Sequence, residues 1–212
     1  MIKIEQIKNK AEEHFKKSKG SHGWDHTLRV YKLCLHIGKI EGADMEVLET
    51  AALLHDIGRV CEDESKGKVC HAKMGAKMAN DLLLLLGIDK EKTAKIIHCI
   101  ETHRYRNDKM PESLEAKILF DADKLDSIGA VGIGRAFLFA GEVGAKLHNK
   151  GADIEQTKAY TEDDTAYREY MVKLRKIRNR MTTSEGKKIA AGRHEYMAGF
   201  FDRMDKEAEG IL

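Results

Sequence analysis

Proline is nearly missing from this chain. Only Pro111 stands among 212 residues, so long helices can run uninterrupted, and the composition argues against an all-β fold full of tight turns. Long apolar runs are missing too. The stretch Leu82–Leu86 is far too short to span a bilayer. The opening MIKIEQIKNKAEEHFKK alternates charge with apolar residues and lacks the continuous apolar stretch of a signal peptide. Neither sign of charge dominates: 37 Lys and Arg face 35 Asp and Glu, a net charge of +2. The basic residues are spread along the chain, so neither a nucleic-acid polymer nor a membrane is expected as a partner. The four cysteines, Cys34, Cys61, Cys70 and Cys99, form no CxxC pair. They read as reduced thiols in a cytoplasmic protein. Cys70 adjoins His71, but the second Cys-His pair of a zinc site is absent.

Apolar spacing is helical almost throughout. A first helix is expected from Ile4 to Lys17, ending near Gly20. A second runs from about Asp25 to Ile40, burying Leu28, Tyr31 and Leu35, and closes at Gly42. Asp44 suits the N-cap of a third, which ends at Gly58. The polar segment Glu62–Lys68 reads as a loop. Helices follow over His71–Leu86 and from Asp89 to Thr102. Pro111 suits the first turn of the next, which runs through Asp123 to about Ile128. A glycine-interrupted helix reaches about Leu147, and two more cover Thr161–Met181 and Ser184–Glu209. Tyr196, Met197, Phe200, Phe201 and Met204 recur at helical spacing, as core or as a face for a second copy in a homodimer. The expectation is all-α, with residues 1–212 as one domain: a core over about 20–130 and a helical extension over about 131–212.

Seven of the ten histidines lie between His22 and His103. The most informative are in AALLHDIGR, where His55 and Asp56 are adjacent at the end of an apolar helix. Imidazole and carboxylate are both good ligands for a divalent transition ion. Successive helical side chains diverge by about 100°, so an ion bound by both must lie between them and take further ligands from other helices. His26, in WDHTLRV, and an aspartate of DADKLD are placed to supply these. Asp121 and Asp123 lie two residues apart and face nearly opposite ways, and periodicity does not choose between them.

The ordered pattern H…HD…D, with HTLRV before it and AD-x-L after it, resembles the HD superfamily of metal-dependent phosphohydrolases. HAKMGA, HCIETHR and DADKLDSIGAVGIGRAF are similar to a small bacterial and archaeal branch of it, over roughly residues 20–140. The resemblance implies an HD-type helical bundle with additional C-terminal helices. It assigns His26, His55, Asp56 and Asp123 as metal ligands. It also implies a small phosphate compound as substrate, in this branch a nucleotide, cut at a monoester or anhydride bond. A cation so held makes a bound water far more acidic than bulk water. With no sulfur ligand, Mn, Fe, Co, Ni or Mg fit, and Zn is also compatible.

Further candidates surround this set. His71, His98 and His103 are candidates for a second metal or for proton donation. Arg29, one turn after His26, and Lys124, next to Asp123, are candidates for substrate phosphate. Asp126 could orient a ligand. Two other functional classes fit the pattern: a di-iron HD-type oxygenase and a non-catalytic regulatory HD domain. Gly132 and Gly134 form a GxG with no strand before it, which argues against a dinucleotide fingerprint.

Overall fold

The structure, a computed structural model, describes residues 2–16, 23–65, 67–104 and 110–212. The expected end of the first helix at Lys17–Gly20, and His22, lie outside them. Helices make up the fold, and no strand occurs among the described residues. The chain divides into two compact units, Met1–Asp123 and Lys124–Leu212.

The first unit is built around α3 (Met45–Leu54), whose Val47, Leu48, Thr50 and Ala51 through Leu54 are all buried. The C-terminal half of α3, Thr50 to Leu54, is buried all round and must be covered on every side. α1 (Ile4–Phe15), α2 (Trp24–Glu41) and α6 (Lys90–Thr102) pack against it. Asp44 caps α3 as expected, its carboxylate accepting from the backbone N–H groups of Glu46 and Val47. α2 ends at Gly42, which has a φ of 78° that only glycine adopts at little cost. Its buried face is rotated from the expected one. His26, Thr27, Val30, Cys34 and Ile37 are inside, while Leu28, Tyr31 and Leu35 are half-buried. α5 (His71–Leu85) packs on α6, and α4 (Arg59–Glu64) packs on α5. α7 (Leu114–Leu125) supplies the last residues of this unit up to Asp123.

Several boundaries differ from the expectation. Glu62–Lys68 is not a loop throughout, because α4 runs to Glu64, a single turn and a half held by the i,i+3 pair of Arg59 with Glu62 at 2.9 Å. α3 stops at Leu54, so His55 and Asp56 sit in the turn after it rather than on the helix. α7 starts after Pro111 and stops at Leu125.

In the second unit, α8 covers Gly129–Glu142 and does not reach Leu147, because an αL glycine follows at Gly144 with φ 69°. The stretch Thr161–Met181 is not one helix. α9 (Ala166–Val172) starts late, capped by Thr165, and a 3-10 segment follows over Leu174–Arg180, its Leu174 and Ile177 buried at the three-residue period of that helix. α10 (Ser184–Ala208) buries Met197 and Phe201, whereas Tyr196 is 59 % exposed. Phe201 stacks on Tyr170 with ring centroids 4.5 Å apart.

Candidate metal centre

Four separate elements of the first unit deliver buried ligand-type side chains to one place. His26 comes from the first turn of α2, His55 and Asp56 from the turn after α3, His71 from the start of α5, and His103 from the residue after α6. Asp123, near the end of α7, is the fifth contribution. The turn after α3 is held close to α5 by Gly58. A Cβ there would lie 2.4 Å from the His71 carbonyl oxygen and 2.5 Å from the Gly75 nitrogen. The missing side chain is what lets His71 approach Asp56.

The ligand atoms form two groups, His26–His55–Asp123 and Asp56–His71–His103, the atoms of each lying within 4.8 Å of one another. Asp56 faces both. Its Oδ2 is 3.7 Å from His26 Nε2 and 3.8 Å from His55 Nε2. Its Oδ1 is 3.3 Å from His71 Nε2 and 3.6 Å from His103 Nε2. His26 Nε2 is also 3.4 Å from Asp123 Oδ1.

Hydrogen bonding at the far side of each ring fixes which nitrogen looks inward. His55 Nδ1 donates to the Ala52 carbonyl at 2.8 Å, and His103 Nδ1 to the Ile100 carbonyl at 2.6 Å. His71 Nδ1 lies 2.5 Å from Glu62 Oε2, a separation that requires a hydrogen between them. Each ring therefore turns an Nε2 lone pair into the site, as metal-binding histidines do. His55 Nε2 is fully buried with no hydrogen-bond partner. Burial pushes the His55 imidazole down to about 4 and the His71 imidazole down to about 3, so both rings are neutral at pH 7. Asp56 is also buried, which opposes its charge, but the adjacent Arg59 guanidinium outweighs this and holds its carboxyl well below the usual range. Lone pairs and a carboxylate thus converge with few protons among them; His71 Nε2 and His103 Nε2 are 3.2 Å apart. A divalent cation in either group would satisfy this donor set, which is all nitrogen and oxygen.

Residues 23–128 match the HD domain family. The chain belongs to the HD domain family. The YpgQ protein of Bacillus subtilis is 33% identical over 211 residues, covering 98% of this chain and 94% of that one. The crystal structure of Bacillus subtilis YpgQ in complex with ADP superposes with a TM-score of 0.77 at 31% identity, covering 99% of this chain and 100% of that one. An HD-superfamily hydrolase from Bacillus thuringiensis gives a TM-score of 0.77 at 28% identity, over 98% of this chain and 97% of that one. Within this HD domain the sequence candidates fall as follows. His26, His55, Asp56, Asp123, His71 and His103 are brought together. His98 is not among them, because its Nε2 accepts from the backbone N–H of Glu112 at 3.2 Å. Asp121 is fully buried and belongs to neither group. Arg29 is held by Asp25 at 2.6 Å. Lys124 opens the second unit. Asp126 pairs with Arg135 at 2.9 Å. Among the described residues no helix is long and apolar enough to cross a membrane.

Sequence reading missed Arg59, Glu62 and Arg104. Arg59 Nη2 lies 3.1 Å from each oxygen of Asp56, and its Nη1 lies 2.9 Å from Glu62. Arg104 pairs with the other oxygen of Glu62. The only prior signal was the spacing Arg59-x-x-Glu62, which is common on solvated helix faces.

Proposed function

We propose that this chain is a metal-dependent phosphohydrolase that releases phosphate or pyrophosphate from a nucleotide, using two cation sites that share Asp56. One observation carries the reading: Asp56 turns one oxygen to His26 and His55 and the other to His71 and His103. A carboxylate between two ligand groups is the arrangement that two-cation phosphohydrolysis needs. Bound Mn, Co, Ni, Fe or Mg would supply Lewis acidity and a more acidic water. His26, His55 and Asp123 would hold the first ion and His71 and His103 the second, with Asp56 placed to serve both.

The residues do the rest. The carbonyls of Ala52 and Ile100 and the carboxylate of Glu62 keep the three inward Nε2 atoms unprotonated. Arg59 balances the negative charge of Asp56. Arg29, one turn beyond His26, is assigned to substrate phosphate, released from Asp25 when the stronger anion arrives. The nucleotide assignment draws on YpgQ, whose structure was solved with ADP. Residues 1–212 are taken to act as a single HD-type domain.

The same nitrogen and oxygen set also suits a di-iron oxygenase, because it offers two adjacent ion sites. One screen separates the two. The purified protein is incubated without oxygen with nucleoside mono-, di- and triphosphates and each divalent metal, and phosphate and pyrophosphate are measured separately. Release from at least one nucleotide supports hydrolysis. No release under any metal, with oxygen consumed by the iron-loaded protein, would overturn it.

A further inference from the structure

Glu62 accepts from three elements at once. Its Oε2 takes His71 Nδ1 at 2.5 Å and Arg59 Nη1 at 2.9 Å. Its Oε1 takes Arg104 Nη1. It is only about an eighth exposed, at 12 % for its side chain. Arg104 Nη1 also lies 3.0 Å from His71 Nδ1. A guanidinium carries donors only. Facing His71 Nδ1 alone, Arg104 would favour a lone pair on that nitrogen, and the ring hydrogen would move to Nε2, towards Asp56 Oδ1 at 3.3 Å. That tautomer cannot bind a cation through Nε2. Glu62 and Arg104 therefore pull the same ring in opposite directions, and the shorter carboxylate contact wins.

We propose that Glu62 is a positioning residue that sets the tautomer of His71 against the opposing demand of Arg104, so that His71 Nε2 is open to the second cation. The proposal rests on the two-cation reading for its consequence, but not for the tautomer itself. It explains a carboxylate that belongs to neither ligand group yet is held by His71, Arg59 and Arg104. It makes an unusual prediction: removing Arg104 partly repairs the loss of Glu62, because no donor then opposes a hydrogen on Nδ1.

The test uses the full chain labelled with 15N-histidine, with His71→Gln identifying the His71 ring signals at neutral pH. The metal-free wild type is expected as the Nδ1–H form and Glu62→Ala as the Nε2–H form. Glu62→Gln keeps an acceptor and should stay near wild type. Titration with Co2+, followed by its visible spectrum, reads the consequence. Loss of such an outer partner typically weakens metal binding by about 10–100-fold. Glu62→Ala should weaken the second Co2+ event by that factor and leave the first unchanged. Glu62→Ala/Arg104→Ala should recover part of the loss, and Arg104→Ala alone should keep the wild-type tautomer and affinities. The proposal fails if Glu62→Ala retains the Nδ1–H form and both affinities. It fails equally if Arg104→Ala switches the tautomer as Glu62→Ala does, an arm that decides the matter even where Glu62→Ala does not fold. If the wild type binds a single Co2+ while Glu62→Ala still switches the ring, the two-cation reading falls and the role of Glu62 stands.

Discussion

Replacing Gly58 by alanine would probe how the second ligand group is assembled. Gly58 has φ −83° and ψ 0°, a conformation open to any residue, so the effect of a side chain there is spatial alone. The added Cβ would sit 2.4 Å from the His71 carbonyl oxygen, 2.5 Å from the Gly75 nitrogen and 3.0 Å from the Gly75 Cα. All three are backbone atoms, so no side-chain rotation relieves the overlap, and the first turn of α5 must retreat by about 1 Å to reach ordinary contact. Overpacking of this kind costs about 1–3 kcal/mol. For a chain of this size that corresponds to a Tm lower by roughly 2–12 °C. The same retreat carries His71 away from Asp56 Oδ1, now 3.3 Å from its Nε2. Gly58→Ala should therefore weaken the second cation's binding while the first holds. Gly42→Ala is the control. Gly42 has φ 78° with nothing within 4 Å of its Cβ position, so it should cost about 1 kcal/mol from backbone strain without touching metal binding. Thermal melts and Mn2+ titrations of both variants decide the case. A Gly58→Ala protein as stable as wild type, with both metal affinities intact, would show that Gly58 does not set the approach of His71 to Asp56.

Further outcomes follow from the site. Asp123→Ala should lose the first ion and Asp121→Ala should keep most of it, by elemental analysis; the reverse would place the ligand two residues earlier. Arg29→Ala should leave metal content unchanged and lower kcat/KM by about tenfold to a thousandfold, matching a charge-assisted contact of about 1.5–3 kcal/mol or somewhat more, and unaltered steady-state kinetics would return Arg29 to its pairing with Asp25. Acid should weaken the metal-free fold: the folded-state values of His55 and His71 are lowered to about 4 and about 3 from 6.5, so the unfolded chain binds more protons below about pH 6.5 and stability falls as pH drops towards 4. Urea denaturation at pH 7 and pH 5 should show that decline, and a His55→Gln/His71→Gln protein with the same pH slope as wild type would contradict it.

Much of the fold was legible because its helices are long and periodic, and Asp44 and Asp89 announce two of their starts. The ligand types were legible through the adjacency of His55 and Asp56 and the resemblance of the strings around them. Other parts were not. α4 has six residues, too few for a period to show, and its polar composition reads equally well as a loop. The Thr161–Met181 stretch has apolar residues at spacings that serve an α-helix or a 3-10 helix, and only packing places Leu174 and Ile177 inside. The role of Glu62 was invisible because its three partners come from positions 59, 71 and 104, and a single sequence carries no sign of that convergence. His98 and His103 looked alike as members of HCIETHR. They separate because five residues carry the chain well past one full turn: His103, after the end of α6, turns inward, while His98 faces another way and meets the backbone of Glu112.

The proposed chemistry depends on Asp56 being shared by two cations. Elemental analysis of wild type and Asp56→Asn, each reconstituted with Mn2+ and freed of excess metal, tests it directly. Wild type should hold two ions per chain and Asp56→Asn fewer than one, since the amide presents one neutral oxygen where the carboxylate served both groups. A single ion in the wild type, retained in full by Asp56→Asn, would contradict it.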